Sequence, residues 1–165
     1  KGEEIDSVTS DTHGSGVSEP VKVTSVGGEA LRRSSVMESR TAEVLSNWVQ
    51  NDVDQIVGRM GGGVTEIQVA AHYVCRTRNH KRGARISEHG KGRAIDISAF
   101  TLADGSEISV EDHWGKGRRG RMLRKLHESA CGPFATVLGP GSDGYHEDHF
   151  HFDVAIRDNN YLYCK

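Results

Sequence analysis

Two segments of the chain concentrate side chains that bind metals and move protons. One is Ser87-Glu88-His89-Gly90-Lys91-Gly92-Arg93-Ala94-Ile95-Asp96; the other is His146-Glu147-Asp148-His149-Phe150-His151-Phe152-Asp153. Nine residues of the chain are His, the commonest metal ligand and the side chain that titrates nearest neutrality. A catalytic zinc centre needs three protein ligands and one open position. His89 ends a loop and Asp96 lies in the strand after it; Gly90 and Gly92 between them permit the reversal that brings the two side chains together. His149 and His151, two apart on a strand, project to one face. Either one completes a His-Asp-His set. Asp96 interrupts an apolar strand, and a buried carboxylate needs a partner, either a metal or an arginine. A single His on a strand is ordinarily just a hydrogen-bonded side chain, and His13, His72, His80, His113 and His127 are read that way.

The elements that position these segments follow from periodicity. Val44, Leu45, Trp48, Val49, Val53, Ile56, Val57 and Met60 recur at helical spacing, which predicts a helix over 39–60 closed by Gly61-Gly62-Gly63. Residues 65–74 are β-branched and apolar, a strand. Residues 79–87 form a basic loop. A strand over 93–102 turns at Ala103-Asp104-Gly105-Ser106 into a return strand at 107–110. Residues 120–129 form a helix with Met122, Leu123 and Leu126 inward, and strands follow at 134–138 and 150–156. The order predicts an α+β domain, a small antiparallel sheet flanked by helices. Residues 1–28, rich in Gly, Ser, Thr and Glu without amphipathic period, are expected to be a flexible tail ahead of a domain at 29–165.

Composition removes several classes. With 165 residues the chain is one domain. No apolar run is long enough for a transmembrane span. A net charge of −2 and a pI near 6.5 argue against a general nucleic-acid binder. Charge is segregated, however: residues 1–70 carry 6 basic and 11 acidic side chains, residues 71–165 carry 15 and 12. The basic excess lies in Arg76–Arg93 and Lys116–Lys125. Such runs are usually solvated faces; an anionic polymer is the functional reading. Three cysteines, Cys75, Cys131 and Cys164, fit no short zinc-ribbon spacing, and their odd number leaves one unpaired. Lys1 in place of a Met start leads to the expectation of a trimmed chain that has lost a targeting segment.

Ser87, His89, Gly92, Ala94 and Asp96 match the SxHxxGxAxD motif of the LAS metallopeptidases, and His149-Phe150-His151 matches their downstream HxH. These are the lysostaphin-type, D-Ala-D-Ala carboxypeptidase and hedgehog-like zinc proteins. Over about residues 35–165 the chain most resembles the bacterial extensin-like C-terminal domain. The landmarks Cys75-Arg76, SEHGKGRAIDI, LADG, Ala130-Cys131, DHFHFD and Tyr163-Cys164 run in that domain's order. The resemblance implies a zinc peptidase of peptidoglycan stem peptides in the periplasm or cell envelope. It implies His89, Asp96 and His151 as zinc ligands, with Asp148 or His149 as general base. Arg76 is the implied oxyanion contact, and Arg78, His146 and Ser87 the implied substrate-side or orienting residues. A basic helix face at Arg118, Arg121 and Lys125 is expected to attract the anionic wall. In an oxidising periplasm one disulfide is expected among the three cysteines, with the pair left open. A zinc-containing wall- or protein-binding domain without turnover is the alternative.

Overall fold

A computed structural model describes residues 1–165. Nine strands form one sheet: β1 (Gly2–Glu4), β2 (Pro20–Val26), β3 (Glu29–Glu38), β4 (Val64–Ala71), β5 (Ala94–Leu102), β6 (Glu107–Ser109), β7 (Thr136–Leu138), β8 (Phe150–Asp153) and β9 (Tyr163–Cys164). Their order is β1-β2-β3-β4-β5-β8-β7-β9, with β6 also on β5. The helices are α1 (Ser39–Trp48), α2 (Asp54–Val57), α3 (Val110–His113) and α4 (Gly117–Ala130). The α+β class holds. The sheet is larger than expected and mixed: β3 runs parallel to β4, and β7 parallel to β9.

The expected tail over 1–28 is replaced by structure. β2 pairs with β3 from Pro20↔Glu38 to Val26↔Glu29, and β1 pairs with β2. The boundary placed at residue 28 falls inside this hairpin, at Gly27 and Gly28, whose φ values of 61° and 105° suit glycine. The buried residues of β2 are Pro20, Val23 and Val26, and the register shifts between Val23 and Ser25; a bulged strand among Ser and Thr lacks the period-two alternation that marks a strand in sequence. The helix expected over 39–60 is interrupted. α1 passes through a π-helical stretch at Val49–Val53 into α2, and Gly58, at φ 58°, ends it before the triple glycine.

β5 is the sheet's centre. β4 lies along one edge; on the other, β8 pairs with Ala94–Ile97 and β6 with Ala99–Thr101. Helices cover one face. Trp48 of α1 meets Phe152 and Phe134 edge-on, with ring centroids 5.2 and 6.1 Å apart. Its indole N–H donates to Ser129 Oγ of α4 at 2.9 Å, tying the two helices together. His127 of α4 and Trp114 pack on Phe150. Phe150 and Phe152 therefore point to the helices, and strand alternation sends His149, His151 and Asp153 to the other face.

Candidate metal centre

The register of β5 against β8 sets Asp96 directly opposite His151. His89 reaches the same spot from a 3-10 turn, Glu88–Lys91, that ends at Gly92 in the left-handed region, φ 69°. A side chain at Gly92 would collide with Val17 Cγ2 at 2.8 Å and the Glu38 amide at 2.9 Å, so this reversal needs glycine. The turn is also held by hydrogen bonds from the Glu38 amide and Thr41 Oγ1 to the Gly92 carbonyl, and from the Gly16 amide to the Gly90 carbonyl.

Three side chains converge, all buried: His89 Nε2 stands 3.1 Å from Asp96 Oδ1 and 3.2 Å from His151 Nδ1, and His151 Nδ1 is 2.9 Å from Asp96 Oδ1. Such a group can hold a metal ion. The outer nitrogens are spoken for. His89 Nδ1–H donates to the His72 carbonyl at 2.8 Å, and His151 Nε2–H donates to Asp153 Oδ2 at 3.0 Å. These bonds orient both rings and leave one inner nitrogen of each facing Asp96, the arrangement that metal-binding imidazoles share. Of the two His the sequence left open before any family likeness, His151 joins this group.

Electrostatics favour concentrated charge here. Burial alone would raise the Asp96 carboxyl, but hydrogen bonds and charge from His151 and His89 hold it well below the usual carboxylate range. Burial alone would lower His151, yet Asp153 and Asp96 raise it to about 10. Without metal the cluster thus retains a proton among its members.

The remaining candidates divide into two groups. His149 and Asp148 approach from the outer oxygen of Asp96: His149 Nε2 lies 3.6 Å from Asp96 Oδ2, and His149 Nδ1–H donates to the exposed Asp148 at 2.6 Å. Arg76, Arg78, Ser87 and His146 instead line a cavity of about 440 Å³ that touches the cluster through His151. His146 is buried and bonded to Asp143 at 2.7 Å; burial, with the nearby His151 and His149, lowers its pKa against the pull of Asp143. Ser87 caps the turn that carries His89 without a side-chain bond to it. Arg78 lies 3.8 Å from the buried carboxylate of Glu88, which Lys91 also meets at 3.0 Å.

Several contributors lay outside the sequence reading. Asp153 holds His151, and its place two residues on, alternating with Phe152, is a signal that the strand period offers. Asp143 holds His146. Arg157 donates to the Ala135 and Tyr161 carbonyls, both at 2.9 Å, and so fixes the chain that brings Tyr161 and Tyr163 to the cavity wall. A backbone partner such as the His72 carbonyl has no sequence signal. The pair left open is Cys131–Cys164, which joins the end of α4 to β9; Cys75 is unpaired and half-buried. The disulfide is consistent with an oxidising, extracytoplasmic compartment, and no helix is long and apolar enough to cross a membrane.

The family model described as Extensin-like protein C-terminus matches residues 2–165. That span includes β1 and β2, beyond the region where the resemblance was legible from motifs. No curated protein and no solved structure matches the chain.

Proposed function

The chain belongs to the extensin-like protein C-terminus family, and on that premise we propose that it is a zinc-dependent peptidase cleaving amide bonds in the stem peptides of peptidoglycan. One observation carries the reading: His89 Nε2, Asp96 Oδ1 and His151 Nδ1 meet in a buried triangle while both outer nitrogens are held elsewhere. Two imidazoles and a carboxylate form a donor set of catalytic zinc. Ligand atoms bound to a tetrahedral zinc stand about 3.3 Å apart, given Zn–N distances near 2.0 Å; edges of 2.9, 3.1 and 3.2 Å come close to that triangle. The likeness of both motifs to the LAS metallopeptidases supports zinc over other metals.

Zinc, when bound, supplies a Lewis acid and a water acidic enough to ionise near pH 7. The chain's own groups supply the rest. Asp148 holds the Nδ1–H of His149, which leaves His149 Nε2 as the proton acceptor that faces the cluster. Asp148 then acts through His149 as a positioning residue. Arg76 and Arg78 stand in the cavity wall beside His151, where planar guanidinium donors match substrate carboxylates or a developing oxyanion. The presence of a base aimed at the cluster favours turnover over the alternative, a zinc-containing wall- or protein-binding domain. The periplasm or cell envelope is the compartment this reading requires.

Digestion of purified muropeptides, followed by mass spectrometry with and without chelator, tests the proposal. Smaller products that vanish with chelator and return with zinc are expected. A zinc-loaded protein that leaves every muropeptide intact would favour the binding-domain reading, and a protein that retains no metal would exclude both.

A further inference from the structure

We propose that the outer face of α4 is a docking surface for the anionic headgroups of a lipid bilayer, and that it holds the protein with its metal centre turned away from the membrane. Lys116, Arg118, Arg119, Arg121, Arg124 and Lys125 fall within ten residues at the start of this helix. Its inward side is Met122, Leu123, Leu126 and Ala130, so Arg118, Arg121, Arg124 and Lys125 all stand exposed on the outer side.

These charges form no close ion pair; Arg119 acts on Asp104 at longer range, and Arg124 lies over the Trp114 ring, 5.6 Å from its centroid. The ion pairs of lysine and arginine in the molecule, such as Lys22–Glu3, Arg32–Glu66, Lys91–Glu88 and Arg93–Glu38, lie elsewhere, and none uses a residue of this cluster. The first turn of α4 holds no acidic residue, although acidic side chains are what the positive end of a helix favours. Like charges packed this way raise the energy of the free protein and are relieved by an external array of anions.

Position decides which array. α4 packs on Phe150, on the face of β8 opposite His149 and His151. A flat anionic layer against α4 therefore lies across the sheet and helix layers from the cluster. The stem peptide in the cavity and the partner of α4 are then different surfaces. On the peptidase reading proposed above, a cleavage site turned toward the wall leaves α4 facing the membrane. None of the large exposed apolar side chains, Val74, Tyr145, Ile156, Tyr161 and Leu162, belongs to α4, which suits contact at headgroup level without insertion. Each basic residue near an anionic bilayer contributes roughly a few-fold to tenfold in partitioning.

The test is co-sedimentation of the whole chain with vesicles of neutral lipid, with and without anionic phospholipid. Binding to the anionic vesicles alone is expected, with loss in high salt and at least a tenfold weakening in the triple variant R118E/R121E/K125E. The exposed positions leave folding intact, which circular dichroism and retained metal content verify. Absent vesicle binding at low salt, or binding unchanged in the triple variant, overturns the proposal. So does tight binding to isolated sacculi that the triple variant abolishes while vesicle binding is weak, which would make the wall itself the partner. None of these readouts depends on peptidase activity.

Discussion

The two histidines of the HxH pair differ by two residues in sequence and by one hydrogen-bond partner in kind. His151 Nε2–H is taken by buried Asp153, whereas His149 Nδ1–H is taken by exposed Asp148. On the peptidase reading proposed above, the first arrangement fixes a ligand and the second aims a base. His151→Ala should abolish metal binding, and His149→Ala should retain the metal while losing roughly 10²–10⁴ in rate. Metal analysis beside turnover separates them; loss of metal in His149→Ala with retention in His151→Ala would reverse the assignment. Asp153→Asn keeps the shape of the site but weakens the hydrogen bond that orients His151. Metal affinity should fall about 10–100-fold, measured by competition with a chelating dye, and the metal-free protein should also melt lower, because His151 loses a buried charge partner. Asp148→Ala should cost less rate than His149→Ala, because the imidazole survives its removal.

Two connections between elements carry most of the local risk. Gly92 joins the His89 turn to β5 in a left-handed conformation with no room for a side chain. Gly92→Ala should destabilise by about 2 kcal/mol or more, through strain and displacement of Val17, and weaken metal binding further than stability alone explains. Chemical denaturation and metal titration on the same sample check both. The Cys131–Cys164 link closes a loop with a sequence separation of 33. Chain-entropy arguments put its contribution at about 3–4 kcal/mol, so Cys131→Ser with Cys164→Ser should lower the denaturation midpoint correspondingly. The positions of β5, β6, β8 and α4 were legible because each shows clear alternation or helical spacing bounded by turn residues. So was the His89–Asp96–His151 group, since both motif halves are local. β1, β2 and the parallel pairings were not: they are short, polar on one side and defined by partners distant in sequence. The division of His146, Arg76 and Arg78 from His149 and Asp148 was likewise invisible, because it depends on which wall of the cluster each loop crosses.

Across the whole molecule, acid should act through histidines whose pKa burial lowers, His127 among them. His127 sits between Trp114 and Phe150, and burial lowers its pKa from the ordinary 6.5, against a hydrogen bond to the Lys165 carbonyl. Between its lowered folded value and 6.5 the unfolded chain binds more protons, so unfolding free energy should fall as pH drops below about 6.5. His127→Phe should flatten that slope in urea titrations run across the range; an unchanged slope would assign it to other groups. The N-terminal hairpin extends the same dependence of distant parts on one another. Val8 and Val17 exchange backbone hydrogen bonds, Val17 is buried against Gly92, and the Gly16 amide reaches over to the Gly90 carbonyl. Whatever order this segment imposes on the His89 turn, a metal bound by His89 would impose on the segment by the same factor, since coupling between two equilibria is reciprocal. Metal loading should therefore slow amide exchange and protease nicking at Val8–Val17, some distance from any ligand atom. Removal of residues 1–18 should reduce metal affinity by an equal factor. The Val8–Val17 segment between β1 and β2 would then report on metal occupancy.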